Sequence, residues 1–119
     1  IDKYCYISCR KLLPFYDYKY RLVYSQTEIL SKIQDIKHRG IKGVLTFIKE
    51  DLDLEIHHDG DLPARAGLGS SSAFTVGLLH VIQTMLGIQE NKMQLAKNAI
   101  FIEQKINLIS KILYLLTIF

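Results

Sequence analysis

Asp-Leu-Pro-Ala-Arg-Ala-Gly-Leu-Gly-Ser-Ser-Ser-Ala-Phe, residues 61–74, is the most informative part of this 119-residue chain. Gly67 and Gly69 let the backbone approach an anion closely. Three serines follow, and serine is a favoured residue at the start of a helix. Because the free N–H groups and the positive dipole end of a new helix attract anions, the stretch predicts a phosphate-binding loop followed by a helix.

Other phosphate and nucleophile motifs fit this loop less well. The Walker A motif needs a lysine that the loop lacks, and the Rossmann motif needs a third glycine where Ser72 stands. A nucleophile elbow needs glycine where Ala73 stands. A serine-rich helix cap without a ligand is the simplest alternative, but two glycines and three serines exceed what capping requires.

Composition places the chain among globular proteins. Hydrophobic residues make up 49% and charged residues 23%, and the formal net charge is +3. The densest basic group is Lys32, Lys37, His38, Arg39 and Lys42. A solvated helix face is the favoured interpretation of this group over a nucleic-acid patch, so we expect no nucleic-acid partner.

Two cysteines, Cys5 and Cys9, stand in one alternating segment. Four strand steps separate their Cα atoms by about 13 Å, whereas a disulfide needs less than about 7 Å. No secretory signal precedes them. We therefore expect free thiols and a cytoplasmic location.

The two ends of the chain suggest a fragment of a longer protein. It begins at Ile1 inside an apparent strand and ends in an apolar run, Ile106–Phe119. That run contains Lys111 and is shorter than the roughly 20 residues that span a bilayer. We expect no membrane partner, and interpret the run as a sequence that has left its reading frame or as a core element separated from its partners.

Hydrophobic periodicity predicts an α+β fold, because strands and helices mix without strict alternation. Alternation predicts strands at residues 3–10, 18–24 and 52–56, the first two pairing as a hairpin or meander. Helical spacing predicts helices at residues 27–36, 41–49 and 70–86, and one more after Asn91. Gly87 is expected to end the third helix, and Asn91 with Gln94 resembles a capping box.

Pro63-Ala64-Arg65-Ala66-Gly67-Leu68-Gly69-Ser70-Ser71-Ser72 resembles the Pro-x-x-x-Gly-Leu-Gly-Ser-Ser-Ala signature of the GHMP kinases. Ser72 departs from the usual alanine, although Ala73 follows it. The resemblance implies an incomplete GHMP kinase N-terminal domain (ribosomal protein S5 domain 2-like) and an ATP-dependent sugar kinase. Leu-Glu-Ile-His-His-Asp-Gly-Asp, residues 54–61, looks most like the branch that acts on D-glycero-α-D-manno-heptose 7-phosphate.

The resemblance also implies which residues hold ATP and Mg²⁺. Ser71 and Glu103 would bind the metal ion, although from the residues alone a solvated helix face explains Glu103 as well. The ATP-binding residues implied are Pro63, Arg65, Gly67, Leu68, Gly69, Ser70, Ser71 and Ser72.

The family's catalytic aspartate has no counterpart, because no aspartate follows Asp61. The resemblance covers residues 1–104 as a partial ATP-binding domain, and residues 105–119 form a divergent apolar tail. The intact protein is expected to transfer the γ-phosphoryl group of ATP to a sugar or sugar-phosphate hydroxyl. The chain alone is expected to be inactive, with no catalytic residue of its own.

Two other functions stay open. Ser71 could be the nucleophile of a serine hydrolase, with His57, His58 or His80 as its base. The chain could instead be a non-catalytic nucleotide-binding or oligomerising fragment, since an apolar tail and an incomplete sheet favour self-association. A metal site at His57 and His58 is disfavoured, because neighbours on a strand point to opposite faces.

Overall fold

The computed structural model describes residues 5–60 and 70–118, with the backbone alone for residues 5, 60, 70–72 and 107–118. Within these residues four strands form one mixed sheet in the order β1-β4-β2-β3. Strand β4 is antiparallel to β1 and parallel to β2, and β3 is antiparallel to β2. The strands are β1 (Cys5–Lys11), β2 (Tyr20–Val23), β3 (Thr27–Leu30) and β4 (Leu54–Gly60).

The predicted hairpin between the first two strands is wrong, because β4 lies between them. Strand β1 pairs with β4 along its whole length, from Cys5 opposite Gly60 to Lys11 opposite Leu54. This ladder is seven residues long, whereas β2 offers only four residues for pairing. The longer ladder forms more hydrogen bonds, so β1 joins the distant strand rather than its neighbour in sequence.

The predicted helix at residues 27–36 is also wrong. The segment forms β3 and then a short 3₁₀ turn at Ile33–Asp35. Glu28 explains the difference, because its side chain is buried and accepts a hydrogen bond of 2.8 Å from the backbone N–H of Lys37. The chain must run extended from β3 and fold back for the two residues to meet.

The other predicted helices are confirmed. Gly87 ends the second of them with a φ of 76°, and Asn91 Oδ1 accepts a hydrogen bond of 2.8 Å from the N–H of Gln94 at the start of the third. The helices are α1 (Arg39–Ile48), α2 (Ser70–Met85) and α3 (Lys92–Ile118). Helix α3 continues through the predicted boundary at residue 104, so that boundary is not the end of an element. No helix of the described residues has both the length and the apolarity to cross a membrane.

The hydrophobic core lies between one face of the sheet and the three helices. Helix α3 packs closely on α1, because a Cβ atom on Gly43 would lie 2.8 Å from Cδ1 of Ile106. Each large side chain that is fully buried contributes about 1.5–3 kcal/mol to folding. The core includes Tyr20, Leu22, Leu54 and Ile56 of the sheet, Ile41, Val44 and Leu45 of α1, Phe74, Leu78, Leu79 and Ile82 of α2, and Ile102 of α3.

Candidate functional site

The start of α2 is where the sequence predicts the phosphate site, and α2 begins at Ser70 as predicted. Strand β4 ends at Gly60, so the predicted loop joins a strand directly to a helix. Residues 61–69 lie outside the described residues, as do the side chains of residues 70–72. The predicted ATP contacts of Pro63, Arg65, Gly67, Leu68, Gly69, Ser70, Ser71 and Ser72 therefore stay predictions.

A cluster of rings joins the N-terminal parts of α1 and α2. His38, just before α1, packs against Phe74 of α2 with ring centroids 4.9 Å apart. Tyr24 meets His38 edge-on at 4.7 Å, and His58 of β4 packs on Phe74 at 4.6 Å. Gly40 makes the approach possible, because a Cβ atom there would lie 3.0 Å from the Phe74 ring. The N-terminal ends of both helices therefore lie side by side.

His38 caps α1 with its ring. Its Nδ1 accepts a hydrogen bond of 3.2 Å from the N–H of Ile41, so this nitrogen must be unprotonated. Burial, and next the nearby His58, lower the pKa of His38. The neutral ring is therefore the form that fits the fold.

Glu28 holds the chain that leads into this cap. It accepts hydrogen bonds from the backbone N–H groups of Lys37 and His38 and from the hydroxyl of Tyr24, at 2.8, 3.2 and 2.6 Å. Burial alone would raise the pKa of Glu28, but these bonds hold it below its usual value. Burial and the bond to Glu28 raise the pKa of Tyr24 to about 12.

Glu103, the predicted metal ligand, is half-buried in the middle of α3. It lies about 200° around the helix from both Phe101 and Lys105, which face α1. Ile106, which contacts Gly43 of α1, is only about 60° around the helix from Glu103, so Glu103 lies at the edge of the packed side of α3. Its Oε1 atom is buried.

Oxygen donors of this kind suit Mg²⁺, which takes one or two protein ligands together with substrate phosphates. In the described ranges no group of three or more His, Cys, Asp or Glu side chains could hold a metal ion. The Ser71 side chain is not described, so the pairing of Ser71 with Glu103 stays a prediction. The donor types of the two residues fit the ion.

The three histidines considered as hydrolase bases lie in different parts of the fold. His57 lies 3.1 Å from Glu55 and His58 packs on Phe74, so the two point to opposite faces of the sheet as predicted. His80 is exposed and follows Ser71 by nine residues, which puts it about half a turn away around α2. His58 alone of the three lies near the start of α2.

Glu55 is the centre of an ion cluster that the sequence analysis missed. Its carboxylate, 7% exposed, accepts hydrogen bonds of 2.7 Å from Arg10 and from Arg21, and His57 completes the cluster. The bond from Arg10, with those from Arg21 and His57, lowers the pKa of Glu55 to about 2 against the effect of burial. Three strands supply these residues, so no local spacing signals the cluster.

Comparison with known proteins gives the family. The profile of the GHMP kinases N terminal domain matches residues 33–111, well over half of the chain. The chain belongs to the GHMP kinase N-terminal domain family. The matched residues thus include α1, β4, the predicted loop, α2 and most of α3.

The fold of this chain is also seen in a solved structure. A crystal structure of mevalonate kinase matches with a TM-score of 0.67 and 16% sequence identity, over 87% of this chain. At that identity the match concerns the fold alone. The chain spans 37% of that mevalonate kinase. A comparison with curated protein sequences gave no significant match.

Proposed function

We propose that this chain is the ATP-binding part of a kinase that transfers the γ-phosphoryl group of ATP to a hydroxyl of a sugar or sugar phosphate. Family membership supports the kinase part of the proposal. The start of α2 at Ser70, directly after Gly67-Leu68-Gly69, is the observation that carries it. The resemblance of residues 54–61 to the heptose 7-phosphate branch supports the sugar part.

In this proposal the first turn of α2 holds the ATP phosphates through its backbone N–H groups. The N-terminal end of α1 lies beside it, through the contact of Gly40 with Phe74, and adds a second positive dipole end. Ser71 and Glu103 would hold Mg²⁺, which neutralises phosphate charge during phosphoryl transfer. Binding and charge neutralisation are the two tasks that these residues can perform.

Transfer itself would need an acid/base group from outside this chain. No aspartate follows Asp61, and the related mevalonate kinase is much longer than this chain. We therefore expect the chain to bind Mg-ATP without phosphorylating a sugar.

A cytoplasmic setting is part of the same proposal. Cys9 is a free cysteine, and its burial raises the pKa of the thiol to about 11. A thiol of that kind is stable in a reducing compartment, where disulfides are rare. The partners in this setting would be a nucleotide and a small sugar.

Calorimetry with Mg-ATP tests the proposal. Ser71→Ala removes the proposed metal-binding hydroxyl, and we expect it to weaken binding by about 10- to 100-fold, the equivalent of about 1.5–3 kcal/mol for one bond to a charged group. Ser8→Ala removes a hydroxyl from β1 instead and should leave the affinity unchanged.

Equal affinities for wild type and Ser71→Ala would refute the role of Ser71. Absence of Mg-ATP binding by the wild-type chain would refute the ATP site itself. Labelling of Ser71 by a fluorophosphonate probe, lost in Ser71→Ala, would favour the hydrolase instead.

A further inference from the structure

A groove of about 640 Å³ lies between α1 and α3. The floor of the groove is apolar. Gly43 lets α1 and α3 pack closely there, because a Cβ atom at this position would lie 2.8 Å from Ile106. Phe47 and Phe101 form the wall, with ring centroids 6.0 Å apart. Phe101 is 45% exposed, so apolar surface there faces solvent.

The rim of the groove is positively charged. Five of the fifteen lysines and arginines of the chain line it, and no carboxylate is among the described residues of the lining. These cations are Lys37, Arg39, Lys42, Lys49 and Lys105. Four of them lie along α1 and its ends, over about 15–18 Å. Three belong to the basic group that the sequence analysis interpreted as a solvated helix face.

The length of this rim decides what could fill the groove. A small molecule with one anionic group would reach only one or two of these five cations, which extend along the whole of α1. An amphipathic helix laid along α1 can place apolar side chains on the floor every three or four residues and carboxylates along both edges. Complementary charge of this kind directs association and excludes wrong partners.

The ring geometry disfavours single-stranded nucleic acid, the other occupant that combines negative charge with stacking. The Lys105 ammonium lies 4.8 Å from the centroid of the Phe101 ring and covers one of its faces. Phe47 meets Phe101 at an interplanar angle of 60°, so the two rings do not form parallel platforms for successive bases.

We propose that the groove between α1 and α3 binds an acidic amphipathic helix of a partner protein. The apolar side of that helix packs on Phe47, Phe101 and Ile106, and its carboxylates pair with the lysines of the rim. This interaction goes beyond the proposed kinase function and does not depend on it, because no predicted ATP or metal ligand is among the described residues that line the groove.

A labelled model peptide tests the proposal by fluorescence anisotropy with the 119-residue chain. The peptide is a helix of about 14 residues, or about 21 Å, with leucine at helical spacing and glutamate elsewhere. We expect saturable binding that weakens as salt is added, because the rim charges are exposed. A scrambled peptide of the same composition should bind much less.

The charge-reversed variant Lys42→Glu/Lys105→Glu should bind the acidic peptide at least about tenfold more weakly, since two rim charges that attract carboxylates now repel them. It should prefer a peptide with lysine in place of glutamate. Lys97→Glu carries the same substitution on an exposed part of α3 outside the groove and should bind like wild type.

Phe101→Ser gives a second test that keeps every charge, and we expect it to weaken binding as well. The proposal is overturned if the acidic peptide fails to bind, if it binds the scrambled sequence equally well, or if the rim variant and Lys97→Glu behave alike. Displacement of the peptide by an oligonucleotide or by Mg-ATP would also overturn it, since the groove would then belong to another ligand.

Discussion

Glu55 is the residue that holds the ion cluster of the sheet together. It receives hydrogen bonds from Arg10, Arg21 and His57, which belong to β1, β2 and β4. A nearly buried carboxylate is tolerated there because these bonds replace the lost water. Removing the charge should therefore affect the sheet more than its small exposed area suggests.

Glu55→Gln should lower the free energy of unfolding by about 1–3 kcal/mol at pH 7, the cost of weakening a buried, charged hydrogen-bond acceptor. Urea unfolding measures the loss. Glu50→Gln, the same substitution at an exposed position, should stay within about 0.5 kcal/mol of wild type.

The effect of Glu55→Gln should also depend on pH. Folding holds the pKa of Glu55 at about 2, below its ordinary value of 4.5, so the folded state keeps the carboxylate ionised after the unfolded chain is protonated. Its contribution is present in full above pH 4.5 and is lost as the pH falls towards 2. A stability difference that stays constant down to pH 3 would show that packing, not charge, is responsible.

At the scale of elements, the cap of α1 links a helix to the candidate site. The His38 ring accepts the N–H of Ile41 and packs on Phe74, which follows the predicted phosphate loop. A change in the cap should therefore alter the packing at the start of α2 as well as the stability of α1.

Stability should fall between pH 7.5 and 5 because His38 must stay neutral to cap α1. Burial keeps the folded pKa of His38 below the ordinary 6.5, so its contribution is present above pH 6.5 and is lost as the pH falls through the lower, folded value. His38→Asn keeps a side-chain acceptor for the cap but cannot titrate, so its stability should change less with pH. Burial lowers the pKa of His58 as well, so His58 keeps part of the slope.

His38→Ala should lose about 0.5–2 kcal/mol of stability at pH 7.5 through the missing cap. His80→Asn, at an exposed position of α2, should leave the slope as in wild type. Thermal unfolding across this pH range measures all three variants. The same slope in His38→Asn as in wild type would contradict the role of His38.

The sequence predicts elements well where local chemistry decides them. Ser70, Gly87 and Asn91 mark helix ends that the structure confirms, because glycine conformation and side-chain capping act within a few residues. Residues 27–36 were predicted wrongly because helical and strand spacing overlap in a short apolar segment. The bonds from Lys37 and His38 to Glu28 decide the outcome, and they form only in the folded chain.

At the scale of the whole molecule, topology is the part that the sequence could not predict. Local connection favours β1 beside β2, but β4, distant in sequence, lies between them. The same limit applies to the site. The motif at residues 63–72 predicts the family and the start of α2, whereas the meeting of His38, His58 and Phe74 depends on three separate elements.

The topology leaves β1 as an edge strand of the described sheet, seven residues long, while the opposite edge, β3, has four. Long unpaired edges favour pairing with another chain. We expect two copies to associate through antiparallel β1 strands about a two-fold axis. Ser8 is the middle residue of β1, so it would face its own symmetry mate.

Ser8→Lys tests this arrangement because it would place two lysines directly opposite each other, and like charges in that position destabilise strand pairing. The wild-type mass should rise with concentration in analytical ultracentrifugation, with or without ATP, and Ser8→Lys should remain monomeric. Thr27→Lys puts the same charge on the exposed surface of β3 and should associate like wild type. Association of Ser8→Lys to the same extent as Thr27→Lys, or a wild-type chain that is monomeric at every concentration, would show that the β1 edge does not pair.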